Sequence, residues 1–504
     1  MLSKLKAAWR ALTVPEVPRW QTLNKQHYRE LRAAYDAAQP RDDLWTLADF
    51  ADADASLRPE IRRELRARAR YEYSNNTIVS RVVNVWVDDV MGESGPVLDM
   101  TTNYDELNAL IEADWQEWWD AGNLQAKLRT AILAETVDGE SVDLKIQSTA
   151  LRLDQPIGLD VLGFESDRLA SPSLLDDHRS DYVDGVHLDD LRQPVAYDLL
   201  KAHPGHQYLD QAGLEFDYET FPAYRVLHCF RKTRKEQHRG ATSLTPVLPL
   251  SGFHRKHCEA TVQKESLRAA FAFIIKTLVP GGDDDDDDDL WQKIQLPNRA
   301  GLGLMLPDGM DITQFQSDSG ASDLDVLNRV MYQAAAACYS MPLGRAMGHY
   351  TVSGYAGVRG ELVPYVRRLG SSRKEVWIPL WLRPLFRDFL REWILQNRNE
   401  ITRIVGSGDR PRWKHVFRWD SSELVVDPSR EEEARKKRLA TLKTTLEEEC
   451  GVNNMEDRIK KLAGQLGMEP QEVTRRLYLS LWNQPTEEQS TASAAKQPNK
   501  DEDD

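Results

Sequence analysis

The sequence predicts an α+β protein, mainly helical, on three observations. Stretches up to Glu135 and again from Leu244 to Asn397 repeat apolar residues every three or four positions, the period of a helix with one buried face. Between about Val142 and Arg231 the apolar segments shorten and are separated by Gly, Pro, Asp and His, as strands and turns are. The 504 residues are 41% hydrophobic and include 14 Trp, enough to build a sizeable core in several domains.

Taken in order, Ser56 to Val90 reads as one helix, with Arg62, Arg66, Arg68 and Arg70 on one side and then Ile78, Val82, Val85 and Trp86 as an apolar stripe. Met91-Gly92 and Gly95-Pro96 stop it. A second helix, Tyr104 to Ala121, stacks Leu107, Ile111, Trp115 and Trp118, and a third follows at Leu124 to Glu135. Strands are expected at Pro156–Phe164, Gly185–Leu188, Val195–Leu199 and Val226–Phe230. A long helix from Leu244 to Leu278 breaks at Pro280-Gly281-Gly282, ahead of the aspartate run. Short strands are expected at Trp291–Ile294 and Gly303–Leu306, then helix from Asp323 to Tyr339. After a glycine-containing loop through Gly354, a long helix runs from Tyr355 to Asn397, which Pro364, Pro379 and Pro384 should kink or interrupt. Trp413 to Val426 returns as β structure. Asp427 can cap a further helix with Pro428 at its first position, Asn453 and Glu456 start another, and Pro470 opens a third. Beyond Asn483 the polar tail has nothing to bury and should be disordered.

Composition narrows the function. The net charge of −15 is wrong for tight DNA binding, which draws on counterion release by a basic surface, but not for loose DNA passage. Cys229, Cys258, Cys338 and Cys450 form no CxxC pair and read as free thiols in a reducing compartment. A zinc site from His228, Cys229, His254, His257 and Cys258 is conceivable but lacks the usual ligand spacing. Met1 to Leu12 is basic and amphipathic without a cleavage site, so no signal peptide is expected, and no apolar run approaches the ~20 residues of a membrane span. No GxxxxGKS/T, HExxH, GxSxG or GxGxxG motif is present, so neither enzyme chemistry nor a cofactor is expected. Asp88, Asp89, Glu135, Asp138 and Glu140 could form a nuclease-like carboxylate set, although helix faces and turns explain them more simply. Trp115, Trp118, Trp119, Trp377, Trp381 and Trp393 read as core or subunit-interface residues.

Four segments, in order, resemble the lambda-like family of bacteriophage portal proteins. Arg70-Tyr71-Glu72-Tyr73-Ser74-Asn75-Asn76, with Arg81-Val82-Val83-Asn84 and Val90-Met91-Gly92, is similar to that family's N-terminal helix pattern. Val226-Leu227-His228 through Gln237-His238-Arg239-Gly240-Ala241-Thr242-Ser243-Leu244-Thr245-Pro246 is similar to its RGxSxLxP segment. Tyr350 to Arg359 stands where the family has a serine-rich opening to a long helix, and Val425-Val426-Asp427-Pro428 with Glu431 and Ala434 resembles its VDP segment. The likeness runs from about residue 60 to 480, carried by the shared order and spacing.

The resemblance implies the phage portal architecture of wing, stem, clip and crown in a cyclic ring. Its boundaries would be 1–243 for the first part of the wing, 244–278 and 319–340 for the stem helices, and 279–318 for the clip. A tunnel loop at 341–354, the long wing helix and return strands at 355–426, a helical crown at 427–483 and a disordered tail at 484–504 complete it. It further implies a homo-oligomer, a twelve-subunit ring at a capsid vertex of the virion, assembled in the host cytoplasm. Terminase large subunit, a head-tail adaptor, and major capsid and scaffold proteins would be partners, with double-stranded DNA passing through without sequence specificity and no membrane involved. A DNA-processing nuclease, or another connector or tail protein of the virion, is the alternative.

Within that frame, Gly344, Arg345, Gly348 and His349 would face DNA from the tunnel loop, whose plain reading is a helix-to-helix connection. Asp283, Asp284, Asp285, Asp286, Asp287, Asp288 and Asp289 would form an acidic collar on the clip, or be a solvated loop. Arg239 either belongs to a turn that Gly240 bends and Ser243 caps, or also pairs with a neighbouring subunit. The mixed signs of Arg255, Lys256, Glu259, Lys264, Glu265 and Arg268 on the stem helix point to pairing between subunits rather than a phosphate clamp.

Overall fold

A proline with no amide hydrogen to leave unsatisfied opens α1 (Pro59–Asn75), the first α-helix among the described residues of the computed structural model. Asn76 then takes an extended conformation (φ −117°, ψ 110°), and its side-chain oxygen accepts from the amides of Ile78 and Val79. It thereby caps a separate helix, α2 (Thr77–Met91). The single helix expected from Ser56 to Val90 is therefore two, because an asparagine satisfied by its own cap can end one helix and begin the next. The structure describes residues 51–148, 156–173, 181–206, 216–270, 274–277, 310–313, 321–349, 355–406, 411–419, 459, 463, 468–469 and 471–476. The chain divides into two compact units, Met1–Ser56 and Leu57–Asp504, and α1, α2 and every later helix and strand belong to the second.

Gly92 (φ +69°) ends α2 and releases a strand the sequence did not suggest, β1 (Pro96–Met100). It pairs antiparallel with β11 (His415–Trp419), with Leu98 opposite Phe417. Helices α3 (Asp105–Ala121) and α4 (Leu124–Asp138) follow, burying Leu107, Ile111, Trp115, Trp118 and Leu128. Gly139 (φ +91°) closes α4, and β2 (Glu140–Gln147) begins at once. β2 is the centre of a three-stranded antiparallel sheet between β3 (Leu159–Phe164) and β8 (Val226–Phe230). A four-stranded antiparallel sheet contains β4 (Tyr182–Val183), β5 (Val186–Leu188), β6 (Pro194–Leu200) and β7 (Tyr218–Pro222). Val142, Leu144, Leu169, Val186, Tyr197 and Leu199 pack as a separate small core.

The stem expectation needs correction at both ends. Helix α5 spans Leu248–Ala270, not Leu244 to Leu278. Leu244 to Val247 are held in turns, Val247 N–H donating to Leu244 O at 2.9 Å. Ile274–Thr277, rich in β-branched residues, is strand β9, paired with β10 (Met310–Thr313). The strands expected at 291–294 and 303–306 lie outside the described residues, as does the aspartate run. Helix α6 (Ala321–Ala337) is joined to α5 by His254 and Asn328, 2.7 Å apart.

A five-residue helix, α7 (Leu343–Met347), precedes the long element α8 (Tyr355–Ser372). The element continues through a π-helical stretch, Arg373–Leu382, into α9 (Arg383–Gln396). The prolines do not interrupt it. Pro379 has no N–H, and the widened turn, in which Arg383 N–H reaches back to Ile378 O, accommodates it. A further helix that periodicity did not reveal, α10 (Arg398–Val405), ends at Gly406 (φ +85°).

The main core lies where α2, α3, the π stretch and α9 meet, and Trp115, Trp118, Trp119, Trp377, Trp381 and Trp393 are all buried in it. Trp115 meets Phe389 edge-on with centroids 5.0 Å apart, and Trp86 stacks on Tyr339 at 5.1 Å. The indole N–H groups of Trp118, Trp381 and Trp393 donate to Leu159 O, Asp143 Oδ2 and Asp114 Oδ2. Most of 427–483 lies outside the described residues. Within it, Ile459, Ala463 and Val473 pack together with Met468.

Candidate functional site

Glu140, at the start of β2, has no solvent exposure and is the centre of an ion network. Arg239 Nη2 donates to its Oε1 at 2.5 Å and Arg66 Nη2 at 2.9 Å. Its Oε2 takes the amide of Gly240 at 2.9 Å and lies 3.1 Å from His228 Nε2. Arg239 Nη1 also donates to Asp184 Oδ2 at 3.0 Å, and Arg62 pairs with the same carboxylate. Outward from this centre, Asp167 accepts from Arg66 at 2.6 Å and pairs with Arg70 at 2.7 Å. Burial alone would raise the Glu140 pKa, but the Arg239 charge and the His228 contact outweigh it and hold the carboxyl well below the usual range. Asp167 falls to about 2, since Arg66 and Arg70 likewise overcome its burial. Burial lowers the His228 pKa, against the pull of Glu140.

The residues around Arg239 explain themselves in this geometry. A Cβ on Gly240 would stand 2.1 Å from Gly139 O, so only glycine lets the two backbones touch. Gln237 folds the preceding turn, its Oε1 accepting from the Thr233 and Arg234 amides and its Nε2 donating to Arg239 O at 2.7 Å. Thr242 Oγ1 donates to Thr136 O at 2.9 Å. These contacts bear on two expectations, and one of them, the Ser243 cap, is corrected. Arg239 is 1% exposed, and its guanidinium pairs with Glu140 and Asp184 of its own chain. Ser243 caps no helix, since α5 starts five residues later and Thr242 Oγ1 accepts the Leu244 amide instead.

Four of the five carboxylates of the nuclease-like set are committed to different partners. Asp88 pairs with Arg129, Asp89 with Arg345, Asp138 with Arg70, and Glu140 with the Arg239 network. Glu135 is nearly buried, and desolvation lifts its pKa to about 7 against the charge of Arg231. The conceivable zinc ligands are not gathered either. His228 serves Glu140, burial keeps the Cys229 thiol protonated, and His254 faces Asn328 and Cys258. Among the described residues, the grouping with metal-like spacing is Glu165, Asp167 and His203, where Arg66 and Arg70 already neutralise Asp167.

On α5 and α6 the structure adds residues that a reading of charges misses. Phe253 and Val262 on α5 are 71% and 66% exposed, and Val326 and Val330 on α6 are 63% and 44% exposed. The signal was present in the sequence as apolar residues on the polar face. Of the charged residues on α5, Arg255 pairs with Glu72 at 3.1 Å and lies over the Tyr71 ring. Lys256 and Glu259 are exposed and Lys264 is half-buried, while the side chains of Glu265 and Arg268 fall at or beyond the edge of what is described.

The segment expected to be a projecting loop is docked over Met341–His349. Arg81 Nε donates to Ala346 O at 2.7 Å, and Arg345 Nε donates to Asp89 Oδ2 at 3.1 Å. Gly348 (φ +75°) lies so close to Arg81 that a Cβ would come within 2.4 Å of its Nη2. His349 is exposed, with its amide donating to Gly344 O at 3.1 Å. Residues 350–354 lie outside the described part.

A family model described as "Phage portal protein, lambda family" matches residues 39–373. A curated relative, the "Probable portal protein" of Halomonas phage phiHAP-1, is 25% identical over 261 residues, which cover 48% of each chain. The match thus spans about half the length of that relative. Among solved structures, the chain is similar to one described as the neck of an empty GTA particle computed with C6 symmetry. Identity is 14%, coverage 81% of this chain and 94% of the other, and the TM-score 0.43. It is also similar to an HK97 family phage portal protein from Corynebacterium diphtheriae, at 13% identity, 60% and 86% coverage, and a TM-score of 0.30.

Proposed function

Because the chain belongs to the lambda family of phage portal proteins, we propose that it assembles into a closed, twelve-subunit ring at one capsid vertex and forms the passage for double-stranded DNA. The observation that carries this reading is the family match over residues 39–373, which takes in the Arg239-Gly240 network and both stem helices. The protein acts as a structural component of the virion and not as an enzyme; a separate terminase drives DNA through it, and a head-tail adaptor, capsid and scaffold proteins dock on it. The stem is its subunit contact. Phe253, Val262, Val326 and Val330 supply apolar area, and Lys256 and Glu259 supply opposite charges. The net charge of −15 suits a wall along which phosphate slides. Asp283 to Asp289 would multiply around the ring into an acidic collar. Gly344, Arg345, Gly348 and His349 would lie near the passage, with the Arg345 charge shared with Asp89.

The stem contact is tested in phage whose portal gene carries Phe253→Asp and Val326→Asp. Both side chains are exposed, so the chain should fold, while ring yield and DNase-protected DNA in capsids should drop at least tenfold. Wild-type rings and packaging would contradict the stem assignment.

A further inference from the structure

We infer that Asp89 is a positioning residue that fixes Met341–His349 against the wing. Asp89 sits in the last turn of α2 and is 5% exposed. Arg345 of α7 grips it with two nitrogens, Nε to Oδ2 at 3.1 Å and Nη2 to Oδ1. Tyr365 of α8, itself fully buried, donates its hydroxyl to Oδ2 at 2.7 Å. At the same helix end, Arg373 donates to the carbonyls of Asp89 and Val90 at 2.7 and 2.9 Å, where α2 has no further amides to offer.

One carboxylate thus joins the element before residue 350 to the element after residue 354. The bidentate guanidinium contact sets direction as well as distance. Earlier on α2, Arg81 holds Ala346 O, and Gly348 lies against Arg81. The five-residue α7 is too short to persist alone, so these contacts from α2 hold it in place. The same geometry has a consequence for charge: any phosphate approaching Arg345 meets a guanidinium already engaged by Asp89. That consequence, unlike the positioning itself, rests on the portal reading.

The test is hydrogen exchange of the assembled full-length protein, read in peptides covering 341–349. Asp89→Asn and Arg345→Gln should each raise exchange there about tenfold, with peptides from α3 unchanged, and the double variant should add little to either single change. Unchanged exchange, or additive effects in the double variant, would overturn the inference. If Asp89→Asn does not fold, Tyr365→Phe keeps the buried volume and removes the 2.7 Å bond; it should raise exchange about threefold, and no rise would overturn the inference equally. Packaging separates the two readings. Raised exchange with less full-length DNA supports both, whereas raised exchange with normal packaging supports the positioning role and sinks the DNA-facing assignment of this segment.

Discussion

Glu135 shows how far a single side chain can depart from its ordinary chemistry in this core. Desolvation lifts its pKa from 4.5 to about 7, the Arg231 charge opposing. The folded chain therefore holds this proton more tightly than the unfolded chain. That contribution to stability is complete below about pH 4.5 and is lost as pH rises through about 7. Glu135→Gln should be close to neutral near pH 5 and stabilise by roughly 2 kcal/mol at pH 8, read as thermal midpoints at both values. An equal effect at the two pH values would place the titration elsewhere. Glu140 shows the opposite behaviour, because its proton is expelled by Arg239 and His228. Replacing Arg239 with Met leaves that charge to Arg66, His228 and the Gly240 amide, without its principal partner, and should cost up to about 3–5 kcal/mol in a denaturant titration. A loss under about 1 kcal/mol would mean that Glu140 is solvated or neutral.

At the scale of elements, local rules were legible and distant pairings were not. β8 was placed at Val226–Phe230 as the sequence suggested, and α3 within one residue, because both patterns are uninterrupted. The break at Asn76 was hidden, since the apolar period continues on both sides and only the cap reveals it. β1 was read as part of a stop because its partner, β11, lies near the other end of the described chain. Arg62 and Arg66 read only as one charged side of a helix, whereas in the fold they are buried and paired with Asp184 and Glu140, far along the sequence. Two substitutions test this level. Asn76→Ala removes the cap and should cost about 1 kcal/mol. Gly240→Ala forces a methyl into Gly139 O and should cost several kcal/mol, far more than the ~1 kcal/mol by which alanine normally favours a helix over glycine. A Gly240→Ala protein of wild-type stability would show that the Arg239 turn is looser than described.

At the scale of the whole molecule, the Arg239 network holds the fold, and under the portal reading α5 and α6 would serve assembly. The network pairs its charges within one chain, so the Arg239-Gly240 segment serves as a structural lock. Helices α5 and α6 leave Phe253, Val262, Val326 and Val330 exposed, a cost that the proposed assembly would remove. The acidic collar and the crown rest on resemblance alone, since Asp283 to Asp289 and most of 427–483 lie outside the described residues. The most direct test of the central claim is electron microscopy of the purified full-length chain at micromolar concentration and near-physiological salt. Closed rings with a central channel, twelve-fold in those that enter capsids, are the expected result. Monomers alone, or assemblies without a through-channel, would contradict it.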